Sequence, residues 1–463
     1  MFESLYSGVK MITKRLSSIK NQNYNKSVIQ LITWVAFCLM YFQLNAAEVT
    51  TGAKSLSGDL NGSSKKPSDF SKGGSISSEP RLLDDGGIVR ETDFSRETGT
   101  SRETEGIMPA GFSNKIIFTT SVAHDSNPAL DDSRKKSVWI YSLIPRLLLD
   151  YTGEVNSFYL DAALLVQRHS NEEILTDRED PALKLGWNRT YESGFFGLYA
   201  NYLESSTRSE ELRTAGVFSG NAGNDNTQRV RQYGARWEHM IAPRWSLSTN
   251  GEYTEEAFSG GGVSLIDSSA VGVRSKLNYA YTERLDTYLQ IGYAQIRPDQ
   301  TFNDTDLARL ALGADYQLSE ALKVSSRAGT YHLSGRQSDT DWEAGVQASY
   351  QVGRMGYEAE LNRELGAASV GGFQKSDTFR LGWFYDISEF DKLNVNYAFV
   401  KFKQDAQVGL LKSETQQISA FYDRILRGNW KGQANITFRE NKRDIRSDGN
   451  IVGVSLIYDG LSF

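Results

Sequence analysis

Trp342, Ala344, Val346, Ala348, Tyr350 and Val352 are apolar or aromatic at every second position, with Glu343, Gly345, Gln347, Ser349 and Gln351 between them. After a break at Gly353-Arg354-Met355 the alternation resumes with Tyr357, Ala359 and Leu361 against Glu358, Glu360 and Asn362. Period two puts one set on each face of a strand, and the short break predicts a hairpin. The unit recurs from about Ser113 onward, for instance at Phe158, Leu160, Ala162 and Leu164, at Val271 and Val273, and at Phe379, Leu381, Trp383 and Tyr385. Taken in order, the alternating runs predict about 18 strands of about ten residues each, one face apolar throughout and the other polar.

Connections separate a membrane barrel from a soluble sandwich. After even-numbered strands they are tight, as at Ala242-Pro243-Arg244 and Thr282-Glu283-Arg284, and after odd-numbered strands longer and polar, as at 125–136, 205–228 and 258–268. Short turns at one end and long loops at the other are the signature of an outer-membrane barrel with periplasmic turns and extracellular loops. Aromatics flank the short turns: Trp187 and Phe196, Trp237 and Trp245, Tyr350 and Tyr357, Tyr422 and Trp430. Such a row predicts an interfacial girdle. The expected fold is thus all-β, a transmembrane antiparallel up-and-down β-barrel over 111–463.

The inner face then carries Asp161, Lys184, Arg236, Glu252, Arg274, Lys276, Arg309, Arg327, Glu343, Glu358, Arg380, Asp386, Lys431 and Arg439. Tyr159, Tyr199, Tyr288 and Tyr331 add aromatic rings to it. With both charge signs mixed, strong ion selectivity is not expected. The lining reads either as a wet path for a polar solute, the tyrosines stacking on sugar faces, or as a solvated wall stiffened by ion pairs.

Composition agrees with strands: 463 residues, 11% aromatic, 23 Tyr, 22 Phe and only 8 Pro. Lys10, Lys14, Arg15, Lys20 and Lys26 precede an apolar run from Val28 to Leu44 that ends in Asn45-Ala46-Ala47. Residues 1–47 therefore read as an export signal, cleaved after Ala46 or Ala47. The only cysteine, Cys38, lies within it, leaving no disulfide or thiolate metal site beyond it. The first 46 residues hold five basic side chains and one acidic, so removing them takes the formal charge from −6 to −10, which argues against nucleic acid as a partner. Residues 48–110 are dominated by small and polar side chains and include Arg-Glu-Thr at 90–92, 96–98 and 102–104. This composition predicts a disordered periplasmic arm: a linker, a docking tail for an envelope partner or a plug for the lumen. Catalysis is not expected. His124, His169, His239 and His332 form no metal spacing, His124 near Asp131 and Asp132 being the least poor cluster, and Gly260-Gly261-Gly262 precedes no helix pattern. No cofactor follows from any motif.

Four segments carry a resemblance: His124-Asp125-Ser126-Asn127-Pro128, Ser142-Leu143-Ile144-Pro145, Asp180-Pro181-Ala182-Leu183-Lys184-Leu185-Gly186-Trp187 and Ala242-Pro243-Arg244-Trp245-Ser246-Leu247. They resemble outer-membrane β-barrels associated with exopolysaccharide-export and exosortase (PEP-CTERM) gene clusters. The C-terminal Phe463 after an alternating run resembles the assembly signal of bacterial outer-membrane barrels, although Asp459-Gly460 breaks its phase. The short turns place both termini in the periplasm, and the resemblance implies a channel in the outer membrane of a Gram-negative bacterium that exports exopolysaccharide or capsular polysaccharide, as in biofilm formation. Its partners would be the lipid bilayer, the barrel-assembly machinery, a polysaccharide and periplasmic export proteins. The alternatives are a general or substrate-specific porin for small solutes, or a structural barrel anchoring envelope or matrix partners. The resemblance supplies no catalytic residues.

Overall fold

The computed structural model describes residues 111–130, 135–207, 226–260, 265–299, 304–335, 338–367, 373–406, 409–442 and 446–460. The expected export signal and arm lie outside the described residues, as do Asp131, Asp132, Gly261, Gly262 and Phe463.

Eighteen antiparallel strands form one sheet. In chain order they are β1 Gly111–Asp125, β2 Val138–Thr152, β3 Asn156–His169, β4 Arg178–Tyr191, β5 Gly194–Ser206 and β6 Thr227–Ala242. They continue with β7 Trp245–Ser259, β8 Ser268–Thr282, β9 Leu285–Pro298, β10 Thr305–Gln317, β11 Leu322–Ser334 and β12 Asp339–Val352. The last six are β13 Met355–Ala367, β14 Phe373–Asp386, β15 Asp391–Ala406, β16 Gly409–Ile425, β17 Trp430–Lys442 and β18 Arg446–Asp459. Each strand pairs with its chain neighbour, and β1 pairs with β2 on one side and β18 on the other, from Ile117↔Asp459 to Asp125↔Ile451. The sheet therefore closes on itself and has no edge, the arrangement that leaves no strand backbone unpaired.

The two faces separate as the alternation requires. On the outside, Phe118, Leu143, Leu198, Ile291, Leu310, Leu312, Leu361, Leu381, Ile418 and Val454 are exposed, Leu312 at 64%. Their chain neighbours Thr119, Ser142, Gln290, Ala311, Ser419 and Ser455 point inward and are buried. All eight even-to-odd turns hold four or fewer residues between strands. Gly353 and Gly428 take left-handed φ of 56° and 67° in two of them, where a side chain would be strained.

Two differences from the sequence pattern stand out. The long-loop rule holds for the first half of the chain only: two residues separate β15 from β16, and these strands are instead lengthened to 16 and 17 residues. Projection beyond the barrel wall is achieved there by paired backbone. The inner face, in turn, is interlocked. Tyr159 lies opposite Gly186, Tyr199 opposite Gly234, Tyr288 opposite Gly313 and Phe384 opposite Gly356. In all four pairs a Cβ on the glycine would fall within the neighbouring ring. An inward aromatic on a curved wall has least room beside its neighbours, and a bare backbone is where it can lie flat.

The interlock predicts an inverted glycine effect. Alanine for a strand glycine usually stabilises, but Gly313→Ala should cost about 1–3 kcal/mol through overpacking. Tyr288→Ala in the same chain should recover part of that loss. Urea midpoints of the heat-modifiable folded band in detergent micelles measure both; a Gly313→Ala midpoint at or above wild type would sink the interlock.

Candidate functional site: the lumen

Backbone register arranges the lumen charges in rows. One row runs Gly197, Arg236, Asn250, Arg274, Gly292, Arg309, Tyr331, Asp341 across β5 to β12. Three guanidinium groups thus share a line on β6, β8 and β10, with bare Gly292 between the last two. The adjacent row runs Glu238, Ser248, Lys276, Gln290, Ala311, Gly329, Glu343. Glu252 sits one inward position along β7 from Asn250 and accepts a hydrogen bond from Tyr199 Oη at 2.8 Å.

Most lumen charges are paired across strands. Arg146 holds Asp161 through two bonds of 2.8 and 2.6 Å, with Lys184 directly opposite Asp161. Lys276 Nζ lies 3.9 Å from Asp315 and 3.8 Å above the Tyr288 ring. Arg380 lies 3.4 Å from Glu360, Asp386 3.7 Å from Lys392 and Lys431 4.0 Å from Asp423. Glu358 stands opposite Ser349 on the inner face of β13. Arg146, missing from the expected lining, was within reach of the sequence pattern, being in phase between outward Leu143 and Leu147; its pairing with Asp161 depends on the register of β2 and β3.

Three residues expected to line the wet path do not. Tyr331, Glu343 and Arg439 are 2%, 2% and 1% exposed. The reason is chain folded onto the inner wall at the end opposite the short turns. β12 pairs with β13 only up to Ala344↔Arg363, whereas β13 stays paired with β14 as far as Ala367↔Phe373. Above Arg363 the β13–β14 hairpin therefore leaves β12 and leans inward. Leu365 packs with Leu307, Tyr331 and Leu333 of the inner wall. Arg309 Nη2 donates to the Leu365 carbonyl at 2.5 Å, and Arg327 Nη2 to Asn362 Oδ1 at 2.8 Å and Glu364 at 3.3 Å. Lys375 Nζ reaches Asp339 and Asp341, each at 2.8 Å. Thus the hairpin face that would otherwise look outward is turned onto β10–β12.

Two further connections behave alike. Leu175, after β3, packs on inward Val138 and Ile140 of β2. Asn127 and Pro128, after β1, are fully buried. There Arg439 Nη2 bonds Asp125 Oδ2 at 2.6 Å and the Asn127 carbonyl at 3.0 Å, while Asn127 Nδ2 donates to the Asp448 carbonyl at 2.8 Å.

The inward tyrosines are correspondingly engaged. Tyr159, Tyr199 and Tyr288 each give one ring face to a glycine, Tyr288 gives the other to Lys276, and Tyr331 is enclosed. They are wall elements, not free stacking platforms.

On the outside, Trp187 meets Phe196 at 6.1 Å, Tyr350 meets Tyr357 at 6.4 Å, and Trp245 and Trp430 meet Tyr279 and Tyr458 at 4.6 and 4.8 Å. Trp237 stacks on His239, and Tyr422 Oη donates to Asp391 at 2.6 Å. A second exposed aromatic set lies toward the other end, including Trp139, Tyr141, Tyr253, Tyr293 and Trp342. The histidines sit on different strands: His124 against Trp139, His169 3.6 Å from Asp177, His239 3.1 Å from Ser193 Oγ and His332 2.8 Å from Thr340 Oγ1.

Residues 198–387, from within β5 to just past β14, match the family described as "Protein of unknown function, DUF481", less than half of the chain. No curated protein matches. Among solved structures, the chain is similar to the outer membrane protein opdK from Pseudomonas aeruginosa: 11% identity, TM-score 0.45, 76% of this chain and 99% of that one. A BenF-like porin from Pseudomonas fluorescens Pf-5 matches at 10% identity and TM-score 0.45, over 77% of this chain and 100% of that one. The FrpB iron transporter from Neisseria meningitidis matches at 8% identity and TM-score 0.42, over 72% of this chain and 62% of that one.

Burial separates two ion pairs by expected cost. Asp125→Ala strands Arg439, whose pair is 2% and 3% exposed, and should destabilise by about 3–5 kcal/mol. Lys135→Ala removes an exposed pair with Asp448 and should cost less than about 1 kcal/mol. Urea denaturation of both folded variants checks this, and equal midpoints would contradict the burial argument.

Proposed function

We propose that the protein is an outer-membrane channel for small polar solutes, short turns and both termini in the periplasm. The observation that carries the membrane reading is the closed barrel with a continuous exposed apolar band between two aromatic sets. On β7 Trp245 and Tyr253, and on β12 Tyr350 and Trp342, are eight residues apart. At a strand tilt of ~40° that is roughly 20 Å along the axis, close to the ~25 Å lipid band of such barrels. In water this surface would drive aggregation, whereas in lipid it costs nothing.

The solute class follows from the lumen. A cylinder of 18 strands has a backbone diameter of roughly 35 Å, wide enough for a glycan chain. The infolded β13–β14 hairpin narrows that cylinder, and Arg309, Arg327 and Lys375 hold it in place. Export of a long polysaccharide has to thread past this strap at every sugar. A small solute meets a narrowed, polar passage bordered by Arg236 and Arg274. The strap and the engaged tyrosines favour the small-solute reading over polysaccharide export.

Releasing the strap tests the reading. In planar bilayers the wild type should form discrete channels, and Arg309→Gln with Lys375→Gln should raise conductance by about twofold or more. Liposome swelling should show a larger solute cut-off for the double variant. Unchanged conductance and cut-off would remove the hairpin as the constriction. In cells, loss of surface polysaccharide on gene deletion with small-solute uptake intact would overturn the porin reading in favour of export.

A further inference from the structure

Beyond the lumen, the tops of β15, β16 and β17 form a basic cavity of about 290 Å³ lined by Lys401, Lys403, Lys412, Ser413, Glu414 and Lys442. Alternation puts its charged side chains on the outer face. Lys401 and Lys403 follow Phe399, Glu414 and Lys412 precede Ile418, and Lys442 follows Phe438 on their strands, all in phase. The register agrees: Lys401, Glu414 and Lys442 stand in one row and Lys403 faces Lys412. Phe438 and Ile418 belong to the exposed apolar band. Lys403 and Lys442 lie four residues beyond Phe399 and Phe438, about 10 Å further along the axis.

Among the described residues, the neighbouring carboxylates already have partners. Lys401 holds Glu414 at 2.7 Å, Arg446 holds Glu440 at 2.7 Å, Lys135 holds Asp448 at 2.6 Å and Arg363 lies 3.5 Å from Asp377. Lys403, Lys412 and Lys442 make no ion pair among the described residues. Two like charges directly opposite across an antiparallel pair repel. Three ammonium groups converging above an apolar belt, in a chain of net charge −6, form a site for an anion that arrives from the lipid side.

We propose that this cavity binds a phosphate group of an anionic glycolipid in the outer leaflet. The acyl chains would lie against Phe399, Ile418 and Phe438, and the phosphate would sit between Lys403, Lys412 and Lys442, one head group spanning both. This rests on the outer-membrane reading, which places these strand ends at the outer leaflet, and adds a lipid ligand to it.

The full mature chain, refolded into phosphatidylcholine vesicles containing either bisphosphorylated or dephosphorylated lipid A, provides the test. After extraction, lipid retained per folded barrel is measured by mass spectrometry. Wild type should retain the bisphosphorylated form at least about tenfold better. Lys403→Gln, Lys412→Gln and Lys442→Gln together should abolish the preference while the protein folds in plain phosphatidylcholine as the wild type does. Equal retention of both forms by the wild type, which needs no variant, overturns the proposal, as does an undiminished preference in the triple variant. If inorganic phosphate alone displaces the lipid and raises the urea midpoint as much, a soluble anion is the occupant and the lipid assignment falls. A barrel that folds but never inserts overturns the membrane reading and this proposal with it; an inserted barrel indifferent to lipid phosphate overturns this proposal alone.

Discussion

Closure of β1 onto β18 is the constraint on which the rest depends. Nine register pairs, from Ile117↔Asp459 to Asp125↔Ile451, join the two ends of the sheet. Without them two strands would present unpaired amides and carbonyls, which water would have to solvate or another chain would pair. With them every strand has two neighbours, and the sheet divides space into an inside and an outside. The alternation then acquires its meaning: one face meets a polar lumen, the other an apolar surround. The β1–β18 seam is also where the buried Asp125–Arg439 pair lies, so the closing contact is reinforced by a charge pair that removal of either member would leave uncompensated.

Closing a sheet crowds its concave side. Inward side chains converge, and large ones must either lie over small neighbours or fill the lumen. Both solutions are present. Tyr159, Tyr199, Tyr288 and Phe384 lie over glycines on the next strand, turning aromatic rings into packing elements of the wall. Elsewhere acids and bases are matched across strands, as Arg146 with Asp161 and Lys276 with Asp315. A polar wall so paired is stiff without a conventional apolar core.

The lumen is not uniform along its axis. Toward the short turns it is lined by paired charges and amides. Toward the other end Leu307, Leu333, Leu365, Val138, Ile140 and Leu175 form apolar patches under infolded chain. These patches let a connection stay inside a polar barrel, because burying them against each other removes apolar surface from water. The arginine row at Arg236, Arg274 and Arg309 lies near the level of the strap, which Arg309 holds through the Leu365 carbonyl.

Strand number, strand faces and the sites of the short turns were all legible in the sequence, because each rests on period two and on local turn chemistry. Tyr350 and Tyr357 flank Gly353 in the chain and face each other in the barrel. The inward phase of Arg236, Arg274 and Arg309 followed from outward Trp237, Val273 and Leu310 beside them. Which inward residues meet water did not follow. Leu365 O and Arg309 are 56 positions apart, and Arg439 and Asp125 are 314 apart. Alternation assigns Leu365 to the outer face, yet it is buried inside because β13 departs from β12 above Arg363. Glycine beneath tyrosine is equally non-local, since it depends on register between strands and not on the order of residues within one. A periodic pattern specifies the side of a sheet on which a residue lies. Only closure, register and the inward lean of a hairpin decided what covers it there.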